Sequence, residues 1–386
     1  MKSALAADVR WPLPVRWALG LIAVVGVVFI GIRFAYGLGS VANINNAYPW
    51  GWWAGSFMWL IAFGGAGFTL ALLAEVFALH RFEPFVRPSI LIGLLCYVSY
   101  AVILVIELGR PWNGWVVFTT WQHESPLFEI AICASLYMTC LLIEFGVIAA
   151  GHAGWRRAAR ILGAIYLPVV VLGVSLSHLH QSTLGTALNI IPLKIDSRWW
   201  SEMLPFQFLV SAYAAGLAVV MAEHVLAARF AGSPLRPKAL GDLGAILAWV
   251  LGVYLALRMG VMLATGNVPS MFRFDTLTVS LWIEVVLGAL VPFVLLLLPE
   301  ARKSVNALLV AALLVAGGVI LHRLNITVFA MTVKSWETYT PAFGELITTF
   351  GVIALMLLVY RRILMLLPIH EEPTVAVAAP AFREPA

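Results

Sequence analysis

The chain has 386 residues, enough for two or three soluble domains, but 62% of them are hydrophobic, 11% are charged and the mean hydropathy is +0.95. Those values exclude a soluble globular protein and define a polytopic membrane protein. The net charge of +5 is the excess expected of basic cytoplasmic loops and not of a nucleic-acid surface, so nucleic acid is excluded as a partner. Cys96, Cys133 and Cys140 lie in apolar runs without CxxC spacing; they are too few to ligate an iron–sulfur cluster and read as core packing.

A hydrocarbon layer about 30 Å thick is crossed by roughly 20 apolar residues rising 1.5 Å each. On that ruler an all-α protein with ten transmembrane helices is expected, at about 15–37, 53–79, 89–108, 126–149, 161–180, 203–227, 242–265, 278–298, 305–322 and 343–367. Sixteen of the 24 Lys and Arg fall on the side that carries both tails and six on the other, which places the N- and C-termini in the cytoplasm. Ser40-Val41-Ala42 resembles a cleavage site, but the apolar run before it exceeds a signal-peptide core and reads as a retained anchor.

The outward connections 38–52, 109–125, 181–202 and 323–342 are long and Trp-rich. Part of that Trp is an interfacial belt; four substantial loops on one face also suit a docking platform for a partner. The final stretch, HEEPTVAVAAPAFREPA, is poor in aromatics and reads as a disordered tail.

Gly65–Phe82 and Ala215–Phe230 share Ala-Glu followed by Arg-Phe, 148 residues apart. Glutamates also recur early (Glu129, Glu284) and late (Glu144, Glu300) in the fourth and eighth spans. Two parallel four-helix bundles flanked by helices 1 and 10 are therefore expected, because an even number of crossings separates the copies. The chain divides into 1–52 (tail, first span, first periplasmic loop), 53–202 (first bundle), 203–322 (second bundle), 323–367 (periplasmic loop and tenth span) and 368–386 (cytoplasmic tail).

A central charge costs about 2.5–3.5 kcal/mol to insert, so ionisable residues in the spans are the functional candidates. Arg33, Glu107, Glu129, His178, His180, Arg258, Glu284 and Glu345 fall in the outer half, and Glu75, Glu144, Glu223 and His224 in the inner half. The bland reading is that Arg33 and Arg258 pair with acids such as Glu107 or Glu284 and close helix contacts. A single pocket of acids, imidazoles and guanidiniums beneath an aromatic roof would instead suit an apolar ring with polar carbonyls that exchanges protons, which describes a quinone.

Quinone reduction takes two electrons and two protons, and a buried glutamate or a histidine can hold a proton near neutral pH. His178 or His180 is the expected carbonyl partner and Glu129 the acid beside the head group, with Arg258, Glu284, Glu107 and Arg33 lining the quinone pocket. Glu144, Glu223, Glu75 and the hydroxyls of Tyr97 and Tyr100 are the candidates for a proton path. Residues two apart on a helix point some 200° from each other, so one of the two histidines faces the site unless the helix ends before them. Gly64-Gly65-Ala66-Gly67 resembles a phosphate loop by composition alone and reads as close helix approach. His80 with His224, or His178 with His322, could form a bis-histidine haem site, and a pyridine haemochrome spectrum decides that alternative.

Five stretches resemble one family: NNAYPWGWWAG, ELGRPW, SLSHLHQSTLG, PLKIDSRWWSEMLPFQFLVSA and SWETYTPAFGE. They are similar to the NrfD or polysulfide-reductase membrane subunits, and within them to the longer branch that serves periplasmic nickel–iron hydrogenases. The resemblance covers nearly the whole chain, and the SHLHQSTLG stretch is its most specific part. It implies a ten-helix subunit of the bacterial inner (cytoplasmic) membrane, without haem or iron–sulfur cluster of its own. Such a subunit exchanges electrons between menaquinone or ubiquinone and a periplasmic ferredoxin-like iron–sulfur subunit, which a catalytic subunit of hydrogenase or molybdoenzyme type serves. The family's acidic and histidine positions are matched here by Glu129, Glu144, His180 and Glu223. Two alternatives remain from the residues themselves: a secondary transporter with parallel repeats, which would move a solute as a lone chain, and a b-type cytochrome subunit.

Overall fold

The computed structural model describes residues 11–191, 194–332 and 338–370. In them run α1 (Leu13–Tyr36), α2 (Trp52–Val76), α3 (His80–Glu107) and α4 (Pro126–His152), each long and apolar enough to cross a membrane. The same holds for α6 (Leu204–Ala231), α7 (Pro237–Ala264), α8 (Thr276–Leu297), α9 (Val305–Phe329) and α10 (Phe343–Leu366). Between α4 and α6 lies α5, a pair of helices, Arg156–Ala164 and Tyr166–Asn189, bent by 54°. The chain is an all-helical, multi-pass membrane protein. Extended pairing among the described residues is limited to an isolated bridge between Ile195 and Met331. The terminal stretch expected to be a disordered tail lies, from residue 371 onward, outside the described residues.

Local sequence explains where these elements begin and break. Proline stands in the first turn of α1, α4, α6 and α7, where its missing N–H costs nothing. Inside α5 the same property breaks the helix: Pro168 has no N–H to offer Ala164, the last residue before the bend. The segment before the bend carries Arg156, Arg157 and Arg160 and buries no residue, as suits a helix lying along the interface.

Two spans run further than hydropathy suggests. α5 continues to Asn189, nine residues past its expected end, because the hydroxyls of Ser182, Thr183 and Thr186 donate to the carbonyls of His178, Leu179 and Ser182, four residues earlier. Polar side chains that bond their own helix are tolerated within it. α9 continues through Arg323 and Asn325, both fully buried, to Phe329; neither residue lies in the connection where its polarity alone would place it.

Helices α2 to α5 pack around one another, as do α6 to α9, while α1 lies along α10, which itself rests on α2 and α3. The two groups meet where α2 touches α6 and α9 and where α5 touches α6. Small residues set these approaches, as in other membrane bundles. A Cβ on Gly216 would stand 2.9 Å from the backbone of Gly65 and Ala66, and one on Gly26 would stand 2.7 Å from the Cα of Gly351. The run Gly64–Gly67 is thus a place of close packing, with a Cβ on Gly64 meeting the ring of Tyr97 at 2.6 Å.

Three short stretches take the wider π-helical turn: Leu72–Val76 in α2, Ile283–Leu290 in α8 and Asn325–Phe329 in α9. Each contains a polar residue that recurs below: Glu75, Glu284 and Asn325. Alternation of the spans puts the connections 37–51, 108–125, 190–203, 265–275 and 330–342 on one face, the long-connection face, and the turns at 77–79, 153–155, 232–236 and 298–304 on the other.

The tightest glycine pair gives a direct test. A Cβ on Gly288 would come within 2.5 Å of the Gly318 Cα, whereas one on Gly317 meets nothing within 4 Å. Gly288→Val or Gly318→Val therefore pushes α8 from α9, with an expected loss of about 1–3 kcal/mol read as a lowered thermal midpoint in detergent. Gly317→Val leaves the midpoint in place; equal effects from Gly317 and Gly318 would show that the approach does not matter.

Candidate functional site

The second half of α5 is the polar spine of the first bundle. Because the helix is continuous through the two histidines, they face apart. The Nδ1 of His178 contacts the Val174 carbonyl at 2.6 Å, so it carries the proton, and Nε2 accepts the Tyr213 hydroxyl of α6. His180 turns instead toward α3, with ring centroids 5.8 Å from Tyr97 and 6.3 Å from Tyr100. It is 0% exposed. Among the described residues neither of its ring nitrogens has a side-chain partner, and the Ile130 backbone lies within hydrogen-bonding reach of the ring. One position on, the Gln181 amide donates to the Ile61 carbonyl of α2 at 2.8 Å, and two residues further the Thr183 hydroxyl, whose proton Leu179 and Glu129 of α4 share as acceptors, lies 2.9 Å from the Glu129 carboxyl. Glu129 thus lies one turn from His180, toward the long-connection face.

Toward the opposite face the polar groups continue. Tyr97 stacks edge-on against Tyr137 at 4.8 Å, and the hydroxyls of Tyr97 and Tyr137 both lie within reach of Ser177. Tyr137 accepts from the Phe68 amide at 3.1 Å. A Cβ on Gly173 would lie 3.6 Å from the Tyr137 ring and 3.5 Å from the Glu144 carboxylate, so Tyr137 and Glu144 flank the same bare stretch of α5. Glu144 is within electrostatic range of Glu75, and Glu75 is bonded by the Tyr166 hydroxyl. Glu75, Glu144, Tyr97, Tyr100 and His180 therefore form one polar succession through the first bundle. Glu223 stands elsewhere, bonded by the Tyr360 hydroxyl of α10 and 3.1 Å from the His370 imidazole.

The remaining sequence candidates do not join His180. In the second bundle Glu284 accepts His322 Nδ1 at 2.9 Å, Trp199 Nε1 at 2.7 Å and Asn325 Nδ2 at 2.7 Å, with Arg258 3.6 Å away. The cavity that Glu284 and His322 share with Ser211 and Tyr254 is about 20 Å³, room for one water and far below the roughly 300 Å³ of a small-molecule pocket. Arg258 and Glu284 are thus locked in a packed ion pair, not spread around a quinone pocket, because burial requires each charge to be matched locally. Arg323, whose polarity points to a loop, lies beside them with its guanidinium carbon 3.6 Å from the centre of the Phe208 ring and an NH2 group 2.9 Å from Ser211.

Arg33 and Glu107 make a third place. Arg33 does not pair with Glu107; its Nε donates to the Ile106 carbonyl at 2.6 Å and its NH2 to the Leu108 carbonyl. It satisfies the last carbonyls of α3, which the helix itself leaves open. Glu345, at the start of α10, accepts the Asn43 amide at 2.9 Å and the Tyr339 hydroxyl. The expected single pocket is therefore three separate clusters, each with buried polar atoms that lack a well-formed partner among the described residues: His180 in the first, His322 Nε2 and atoms of the Arg258 and Arg323 guanidiniums in the second, and Glu107 Oε1 in the third.

Trp199, Asn325, Arg323, Tyr137 and Tyr166 do not stand out in the sequence. Trp199 and Arg323 sit in stretches that look like loops, and a tyrosine within an apolar span carries no signal of its own. Arg198, the anchor of the long-connection face, is equally inconspicuous there. It is 2% exposed, grips Asp196 with Nε and NH2 at 2.8 and 2.9 Å, and reaches Asp275 at 2.8 Å. Asp275 also caps α8 by accepting the Thr278 amide at 2.7 Å. The Arg198 guanidinium, then the Thr278 amide, hold the Asp275 carboxyl well below the usual range, at about 2. Burial pushes Asp196 up, but its hydrogen bonds from Arg198 prevail and it too is lowered.

The histidines of the two expected haem pairs are bonded to different protein groups. His178 is bonded to Val174 and Tyr213, His322 to Glu284, His224 to the Arg236 amide and His80 to Glu83. Both ring nitrogens of His178 are engaged, which sets it against axial ligation in a pair with His322, while His322 and His224 each keep one ring nitrogen without a partner among the described residues.

An all-helical multi-pass protein with a polar spine in its first bundle defines a class of membrane subunit, and comparison with known proteins gives the family. The chain belongs to the NrfD polysulphide reductase family, matched over residues 40–334. It is 30% identical over 357 residues, covering 91% of both chains, to a probable Ni/Fe-hydrogenase 2 b-type cytochrome subunit of Escherichia coli. It is 24% identical to the integral membrane subunit of a menaquinone reductase of Nitratidesulfovibrio vulgaris, over 88% of this chain and 87% of that one. A putative dimethyl sulfoxide reductase membrane subunit of Halobacterium salinarum is likewise 24% identical, over 92% of each. These relatives are membrane subunits of oxidoreductases of different substrates.

Two outcomes follow from the site geometry. Glu284→Gln leaves Arg258 buried beside a neutral group and is expected to destabilise the chain by about 3–5 kcal/mol. Adding Arg258→Met should restore part of the loss in thermal unfolding; a single variant as stable as the parent would show that the pair carries no weight. For the Arg198 clamp, Asp275 has a folded value below its unfolded one, so its contribution is complete above about pH 4 and disappears as pH falls toward 2. Thermal midpoints recorded from pH 6 to 2 should drop through that window, and Arg198→Met should flatten the drop.

Proposed function

We propose that this chain is the quinone-reactive membrane subunit of a respiratory oxidoreductase. It passes electrons between the quinone pool and a periplasmic ferredoxin-like iron–sulfur subunit, itself served by a catalytic subunit of hydrogenase type. The observation that carries the reading is His180: a fully buried imidazole without a side-chain partner, beside two tyrosines of α3 and one turn from a carboxylate. Burying such a group without partners costs about 1–3 kcal/mol, a cost that a ligand with a carbonyl oxygen removes. The relative named as a menaquinone reductase subunit supports menaquinone as that ligand, and the relative named as a hydrogenase subunit supports the donor. In this reading the two bundles are parallel copies, the long-connection face is periplasmic, both termini are cytoplasmic, and the membrane is the bacterial inner membrane.

The chemistry divides among the chain's own residues. His180 hydrogen-bonds a quinone carbonyl oxygen, and Glu129, steadied by Thr183, holds a proton beside the head group. The ring gains two electrons from the partner and two protons, giving quinol. Protons reach it from the cytoplasmic side through Glu75, Tyr166, Glu144, Tyr137 and Tyr97, which stand in that order along the first bundle. The second bundle, packed around Glu284 with room for about one water, serves as scaffold.

The test uses the intact complex in liposomes. His180→Leu is expected to lower electron transfer to a soluble quinone at least about 100-fold, while reduction of an artificial dye by the donor subunits is unchanged. Glu144→Gln is expected to slow proton uptake from the inner side. Full quinone reduction by the His180 variant would remove the site, and unchanged uptake in the Glu144 variant would remove the route.

A further inference from the structure

The first half of α5 carries a feature that this function does not use. Between the turn at 153–155 and the 54° bend, Arg156, Arg157 and Arg160 are all exposed. None of the three guanidiniums has a hydrogen bond or an ion pair among the described residues. The sequence holds no Asp or Glu from residue 145 to 195, and Glu144, just before that stretch, is buried inside the first bundle. The positive charge of this segment is therefore matched by nothing within the described chain.

Helical spacing sorts the segment into two faces. The three arginines fall within an arc of about 100°, and Ala158, Ile161, Leu162 and Ile165 within a second arc on the other side. Leu162 seats that second arc on α4, where a Cβ on Gly146 would lie 3.3 Å from its side chain. Ile161 and Ile165 stay exposed beside it, as does Trp155 at the turn. A polar face made of arginine alone, next to uncovered apolar side chains, calls for anion and hydrocarbon at the same level, as an interfacial helix does. α4 ends at His152, so the segment stands where a bilayer offers both.

We propose that this half-helix docks on anionic phospholipid, with Arg156, Arg157 and Arg160 on the phosphodiester head groups and Trp155, Ile161 and Ile165 at the acyl boundary. The break ahead of Pro168 supplies the geometry. Continued straight, the second half of α5 would carry the arginines off the bilayer, and the 54° bend turns them back toward its plane. Other cations of the same face are already matched, Lys303 by Glu300 at 2.7 Å and Arg81 by Asp242 at 3.3 Å. Tyr166, the second residue beyond Ala164, bonds Glu75, so the docked lipid lies at that end of the polar succession.

Spin-labelled phosphatidylglycerol or phosphatidylcholine, at trace level around the full chain in phosphatidylcholine vesicles, reports how much of each lipid the protein immobilises. Phosphatidylglycerol is expected to be held in preference, and less so as salt rises. Arg156→Gln, Arg157→Gln and Arg160→Gln together should lower that preference about fivefold, whereas lysine at all three positions should keep it. Lys303→Gln, on the same face but paired, should leave it unchanged. The segment buries no residue, so the thermal midpoint of the glutamine variant should equal that of the parent, and the lysine variant separates charge from folding in any case. Equal immobilisation of the two lipids by the parent, a preference that survives in the glutamine variant or disappears in the lysine variant, or the same loss from Lys303→Gln would overturn the assignment.

Discussion

A carboxylate held between helices in a hydrocarbon layer needs its donors from neighbouring segments, since water is not there to supply them. Glu284 meets that requirement with four side chains from outside its own helix: Arg258 on α7, His322 and Asn325 on α9, and Trp199 from the 190–203 connection. The second bundle and one connection of the long-connection face are thereby made a single unit. The first bundle applies the same rule and leaves it incomplete, for His180 is as deeply buried but has no side-chain partner among the described residues. The contrast between a carboxylate ringed by charged and polar partners and an imidazole without a side-chain partner separates scaffold from site more sharply than the mere presence of charged residues in a span.

Hydropathy reaches the number of spans and most of their ends, because a thickness of hydrocarbon imposes a length that apolar runs must match. It fails at α5 and α9 for one reason. Ser182, Thr183 and Thr186 return their hydroxyls to the helix backbone, and Arg323 and Asn325 find partners inside the protein, so polarity there does not mean exposure to water. The candidate residues are legible as types, since acids and imidazoles in spans demand an account. Their grouping is not. Whether Arg33 meets Glu107 or a pair of carbonyls depends on how α1 lies against the end of α3, and that is a property of packing with no trace in spacing along the chain.

Loops on the long-connection face are held as firmly as the helices. Arg198 fixes Asp196 and Asp275, the Asp196 amide donates to the Ala330 carbonyl at 2.8 Å, and the Thr332 amide to the Lys194 carbonyl at 2.9 Å. Three connections are joined without a sheet, and the surface they form is set by the same packing that positions Trp199 on Glu284. Their tryptophan content suggests a belt or a platform, and only the buried guanidinium explains why a platform would keep its shape.

The wide turns in α2, α8 and α9 carry a consequence for the periphery of the molecule. A π turn holds one residue more than the α turn it replaces, so side chains beyond it are offset by about 100° from the phase set before it. In α8 no such offset reaches the surface: the exposed Val279, Ile283, Leu287, Leu290, Val294 and Leu297 keep one face throughout, opposite the buried Leu281, Val285, Gly288 and Leu296. A one-residue deletion there would break that continuous outward stripe, turning the lower half of the span by about 100° while leaving its composition nearly untouched.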